Sequence, residues 1–142
     1  MRGRFIAWTN AARIIGDFPV VGIGFNTFGT AMLLYQQGDP VNYWEEAHND
    51  YLQVVAEGGA VGTVVVALAV IIVVIEIRKR FHDDSGSQSS RWIRFGAVAG
   101  LCAIAIQELV EFSLQIPGNA ALFAVLVGIA LHRSPRTAET RR

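Results

Sequence analysis

Two rhythms of apolar residues meet near residue 60. Before it, apolar positions recur at helical spacing. In "GRFIAWTNAARIIGDF", Phe5, Trp8, Ala12, Ile15 and Phe18 fall three or four residues apart, which predicts a helix that Pro19 ends or bends. In "PVVGIGFNTF", Gly22 and Gly24 predict a tight turn. A second helix is expected from Asn26 to about Gln36, then a loop at "QQGDPVNYW". A third is expected over Glu46 to Ala56, stopped by Gly58 and Gly59. Phe18 to Tyr35 is apolar, but Pro19, the glycines, Asn26 and Thr27 interrupt it. It therefore reads as a segment seated on a membrane surface and dipping into the interface.

After residue 60 the apolar residues run together. "AVGTVVVALAVIIVVIEI", residues 60–77, would cover roughly 27 Å as a helix, close to the ~30 Å hydrocarbon core of a bilayer. Its β-branched content favours a strand in water, but a run this long without a turn signal fits a helix in lipid, where the backbone must satisfy itself. Residues 95–114 form a second expected span, with Gln107, Glu108 and Glu111 in its last part. Residues 117–132 form a third, shorter one, with Pro117 suited to a first helical turn. Gly58 and Gly62 make a small-xxx-small pair that predicts close helix packing.

Composition supports this division. The chain is 52% hydrophobic and 17% charged, against about 25% charged in soluble domains, and the apolar excess lies in the second half. The expected fold class is all-α integral membrane: an external helical segment, 1–59, then three transmembrane helices. Net charge is zero, so no electrostatic case for nucleic acid exists. The N-terminus lacks the unbroken apolar core of a signal peptide. Cys102 stands alone in an apolar run, which excludes an intrachain disulfide and reads as a small packing residue.

The basic residues orient the chain. Nine of them lie in 78–94 and after residue 132, and three lie before Ala60, so the 78–94 loop and the 133–142 tail are expected to be cytoplasmic. Tyr43, Trp44 and Trp92 fit interfacial aromatic belts. Glu108 and Glu111, at membrane depth, either face a cavity or sit at the headgroups.

Gly22 and Gly24 lack the third glycine of a dinucleotide loop, since Thr27 stands there. A different set is more specific. It comprises Arg4 and Trp8 (R-x-x-x-W), Pro19, Gly22 and Gly24 (P-x-x-G-x-G), and His48, Asn49, Tyr51 and Leu52 (H-N-x-Y-L). Glu57, Gly59 and Gly62 (E-x-G-x-x-G) and Phe112 with Pro117 complete it. In this order, around a span, the set resembles the C-terminal part of the O-antigen ligase/polymerase-like membrane glycosyltransferases, and the resemblance covers nearly the whole chain. Members of that family have many more spans. The chain is therefore expected to be a C-terminal portion, inactive alone, completed by a missing N-terminal transmembrane part on another chain or upstream.

The resemblance implies transfer of a glycan from a polyprenyl diphosphate to a glycan, lipid or protein acceptor hydroxyl, at the external face of the bacterial inner membrane. It implies no metal cofactor, in keeping with the lack of a D-x-D motif. Arginine suits a diphosphate, because its guanidinium stays charged and forks onto two oxygens. Histidine suits deprotonation of a hydroxyl near neutral pH. His48, Arg4 and Glu57 are accordingly the expected catalytic residues, and Asn49, Tyr51, Gln53 and Glu111 the substrate-binding ones. Each has a plainer reading. Arg4 alone would be a headgroup or solvated arginine, and His48 a hydrogen-bonded structural histidine. Asn49, Gln53 and Glu57, at i, i+4 and i+8, would form a wet face; Glu57 would equally serve to orient the base. The alternatives in other classes are a transporter component and a non-catalytic subunit of a polysaccharide export or assembly system. A transporter would carry ionisable residues in mid-span, and residues 60–75 have none.

Overall fold

The computed structural model describes residues 2–36, 44–82 and 88–133, with side chains from Phe5 onward in the first helix. Among the described residues all regular structure is helical: α1 (Arg2–Asp17), α2 (Phe28–Tyr35), α3 (Asp50–His82), α4 (Gln88–Gln107), a 3-10 turn (Ser113–Gln115) and α5 (Pro117–Leu131).

The first half packs as a small core of its own. Ala7, Ala11 and Ile14 of α1 are fully buried, as are Met32 of α2, Ala47 and Ala56, with Phe28 almost so. The expected stripe through Phe5, Trp8, Ala12, Ile15 and Phe18 is thus turned by about one position. Ala12 is exposed, and Phe5 and Phe18 are 63% and 45% exposed. Alanines let the α1 backbone come close to its neighbours, and the bulky rings face away from that contact.

The second half is built the other way round. Val61, Val65, Leu68, Ile72 and Val74 of α3 are exposed, as are Trp92, Phe95 and Ile106 of α4 and Leu122 and Val125 of α5. What α4 and α5 bury is Arg94, Ala97 and Ala130. Large apolar side chains outside and small ones at the helix contacts is the arrangement a bilayer favours, since lipid solvates valine as well as a protein core does. By length and composition α3 and α4 can each cross a membrane, whereas α5 is apolar but only 15 residues long. Cys102, expected as a packing residue, is exposed on α4, because α4 turns Ala97 and Gly100 toward its neighbours instead. Gly100 lies against Leu126 of α5.

Helix ends also differ from the apolar runs. The arginine-rich segment continues α3 to His82 and begins α4 at Gln88, while the tail from Ser134 lies outside the described residues. At its other end α4 stops at Gln107, short of Leu114, where Glu108 turns inward and is 2% exposed.

α3 is two helices joined at a kink. Gly59 has φ 57° and ψ −160°, outside helical space. The break frees backbone groups on both sides, and the loop after α1 takes them up. Ile23 and Gly24 N–H donate to Ala56 and Glu57 C=O (3.1 and 2.9 Å). Ala60 and Val61 N–H donate to Pro19 and Val20 C=O (2.9 and 3.0 Å). The Thr63 hydroxyl takes the Gly59 carbonyl at 2.6 Å. Contact is so close that a Cβ on Gly22 would sit 2.2 Å from Glu57 O, and one on Gly59 2.4 Å from Gly22 N. Both glycines also have positive φ, so only glycine fits. Gly58 and Gly62, expected to admit another helix, instead face the Phe25 ring; a Cβ on either would lie 3.2–3.3 Å from its Cζ.

Candidate functional site

Trp8, His48, Asn49 and Phe112 come together where the 44–49 loop enters α3. The helix expected over Glu46 to Ala56 forms only from Asp50, where α3 begins. Asn49 is its N-cap, accepting the Leu52 N–H on Oδ1 at 2.9 Å. Upstream, His48 has φ 52°, a left-handed conformation that histidine tolerates better than most residues. Trp8 of α1 pins this loop by donating Nε1–H to Ala47 C=O at 3.0 Å.

His48 is boxed by aromatic edges. Its ring meets Trp44 at 5.7 Å and Phe112 at 5.0 Å between centroids, both T-shaped. Trp44, expected in an interfacial belt, is therefore a wall of the histidine site, while Trp92 is 67% exposed. Tyr43 lies outside the described residues. The His48 Nδ1 is buried and has no hydrogen-bond partner among the described residues.

The remaining expected site residues are engaged. Both Glu57 oxygens accept backbone N–H groups, from Asn26 and from Phe28, each at 3.0 Å. A carboxylate at the start of α2 suits the positive end of the helix dipole. Gln53, 5% exposed, accepts Ala47 N–H at 3.0 Å and donates to Glu46 at 2.5 Å, with Glu57 and Gln115 at 3.5 Å. Asn49 Nδ2–H donates to Leu109 C=O and the Tyr51 hydroxyl to Ala105 C=O, both at 2.8 Å. With Asp50 N–H on Glu108 C=O at 3.1 Å, they satisfy carbonyls at the C-terminal end of α4. Glu111 is half-buried and has a partner of its own. Arg4 lies one turn before Trp8 in α1, and its side chain is outside the described residues.

Sequence reasoning missed the carboxyl pair beneath this clamp. Asp50 faces Glu108. Burial, together with a hydrogen bond to Glu108 and its charge, pushes Asp50 up to about 6, although Gln115 and Leu114 pull the other way. Asp50 Oδ1 accepts the Gln115 amide at 2.8 Å. Burial works to raise Glu108 too, but hydrogen bonds from Asp50, Ser113 and the Leu114 backbone outweigh it and hold it low. Of the two, Asp50 is the carboxyl that holds a proton longer as pH rises, up to about 6. Glu108 was legible as an ionisable residue near a span end; Asp50, beside the H-N motif, gave no signal of its own. Among the described residues no group of three or more His, Cys, Asp or Glu could hold a metal ion.

Residues 1–67 match the family model described as O-antigen ligase. No curated protein and no solved structure matches the chain.

Proposed function

We propose that this chain, O-antigen ligase-like over residues 1–67, forms part of a membrane glycosyltransferase moving a glycan from a polyprenyl diphosphate to an acceptor hydroxyl at the external membrane face. The observation that carries the reading is the sorting of polar groups. Glu57, Gln53, Asn49 and Tyr51 use their polar atoms on backbone groups or on one another, whereas His48 keeps a buried ring nitrogen with no partner among the described residues. We assign His48 the role of base and the other four that of positioning residues. His48 would take the acceptor proton as that oxygen attacks the anomeric carbon. The bond from that carbon to the diphosphate oxygen breaks, and the diphosphate leaves with the electron pair. Arg4 would hold the leaving charge. The site stands at the end of a long apolar helix, which suits a substrate whose tail is lipid. His48 would be external, and the arginine-rich ends of α3 and α4 cytoplasmic.

The test uses membranes in which transfer from a lipid-linked donor depends on this chain. His48→Ala should lower transfer by about 10²- to 10⁴-fold at equal insertion. Retention of most of the rate would make His48 structural. It would favour the second reading, a non-catalytic assembly subunit, for which the structural engagement of the other polar residues already speaks.

A further inference from the structure

The loop between α1 and α2 carries a row of apolar side chains that the core does not use. Val20, Val21 and Phe25 are 61%, 68% and 64% exposed. In water such a row would be costly; its depth beside α3 accounts for it. Counting back about 20 residues from Arg78, the length needed to cross the hydrocarbon core, reaches Gly58. The kink at Gly59 therefore lies at the membrane boundary. Val21 and Phe25 line one apolar groove with Val61, Val65 and Val66 of α3. At 1.5 Å per residue these valines lie roughly 5–12 Å past Gly58, inside the hydrocarbon.

Irregular backbone survives at that depth only if its polar groups are satisfied within the protein. This loop meets the condition where it packs into the kink. Pro19 and Val20 C=O receive Ala60 and Val61 N–H, while Ile23 and Gly24 N–H reach Ala56 and Glu57 C=O. Gly22 N–H returns to Phe18 C=O at 3.1 Å. The Thr27 hydroxyl lies 3.0 Å from Ile23 C=O and 2.6 Å from Gly24 C=O, and Asn26 N–H reaches Glu57. A surface loop could leave these groups to water.

We infer that residues 18–25 form a re-entrant wedge, seated in the α3 kink, whose Val20, Val21 and Phe25 side chains contact lipid acyl chains below the headgroups. This seats the segment deeper than the interfacial dip that its sequence suggests. The occupant follows from continuity, since the wedge extends the same exposed apolar face that α3 presents from Val61 onward. The inference rests on α3 spanning a membrane and not on the transfer reaction, so either can fail alone.

Nitroxide labels on a Cys102→Ser chain reconstituted in liposomes test it. Val21→Cys is compared with Val65→Cys in the span and Glu45→Cys on the exposed loop. The wedge requires the label at position 21 to collide with oxygen several-fold more than with a water-soluble nickel chelate, as at position 65. A ratio matching position 45 would put the loop in water and overturn the inference. Protection from both reagents would also overturn it, by showing a second chain on the wedge. Val20→Cys gives the same readout if Val21→Cys does not insert.

Discussion

The two ends of the α3–α4–α5 bundle face one problem, helix carbonyls with no partner of their own, and meet it with opposite chemistry. At the end bearing His48 the load is spread. Asn49, the Asp50 backbone and Tyr51 take carbonyls at the end of α4, the 19–24 loop fills the kink, and the Asp50 carboxyl accepts the Gln115 amide. At the other end one side chain, Arg94, does most of it. Its guanidinium donates to Ala130 C=O at 3.1 Å and to Arg80 and His132 C=O at 2.9 Å each, tying α4 to the ends of α3 and α5, and stacks on Phe81 at 5.6 Å. A single arginine suits a fixed joint, since its forked donors reach several acceptors at once. A distributed network holds a loop conformation, including the left-handed His48, that no single contact could impose.

The contrast predicts unequal fragility. Arg94→Ala should be the most damaging change at either end, leaving three carbonyls without their donor at a cost of roughly 3–5 kcal/mol. Arg94→Lys should recover only part of it, because an ammonium lacks the fork. Thermal unfolding in detergent measures both; an unchanged midpoint for Arg94→Ala would remove the joint from the account. At the spread end the weak point is the backbone. Gly59→Ala adds a Cβ into Gly22 and forces a positive φ on alanine, so a loss of about 2–4 kcal/mol is expected. Hydrogen exchange at Ile23 and Gly24 should rise with it, and protection kept at wild-type levels would contradict the interlock.

The smallest effect is a pH dependence. Asp50, raised from 3.8 to about 6, keeps a proton in the folded chain that the unfolded chain has released. Its contribution to stability is therefore full below 3.8 and is lost as pH rises through about 6. Glu108, held low, opposes this by losing its contribution as pH falls below its ordinary 4.5. Between 4.5 and 6, then, Asp50 governs. The midpoint should fall by a few degrees over that window, and Asp50→Asn should flatten the fall. An equal slope in the variant would locate the titration elsewhere.

Against this background the limits of the sequence are physical. The valine-rich run of α3 was legible because lipid demands length and apolarity, both of which a linear pattern carries. The motif set was legible as a family resemblance, and the match over residues 1–67 bears out its part from Arg4 to Gly62; Phe112 and Pro117 lie beyond the matched residues. His48 was misplaced on a helix, because nothing local marks a left-handed residue ahead of an N-cap. Glu57 looked like a chemical carboxylate, but the partners of its two oxygens lie 31 and 29 residues away. Arg94 read as one more charge in a basic loop, whereas its carbonyl partners belong to two other helices.

What the sequence determined by itself is the division at residue 60, the apolar length of α3 and the residue types near the boundary, since each depends on neighbours within a few turns. The tertiary structure decided which carbonyls the Asn49–Tyr51 clamp takes, how Gly22 and Gly59 interlock, and how His48 sits between Trp44 and Phe112. Those outcomes turn on contacts between segments tens of residues apart, and no local pattern fixes the geometry of a distant partner.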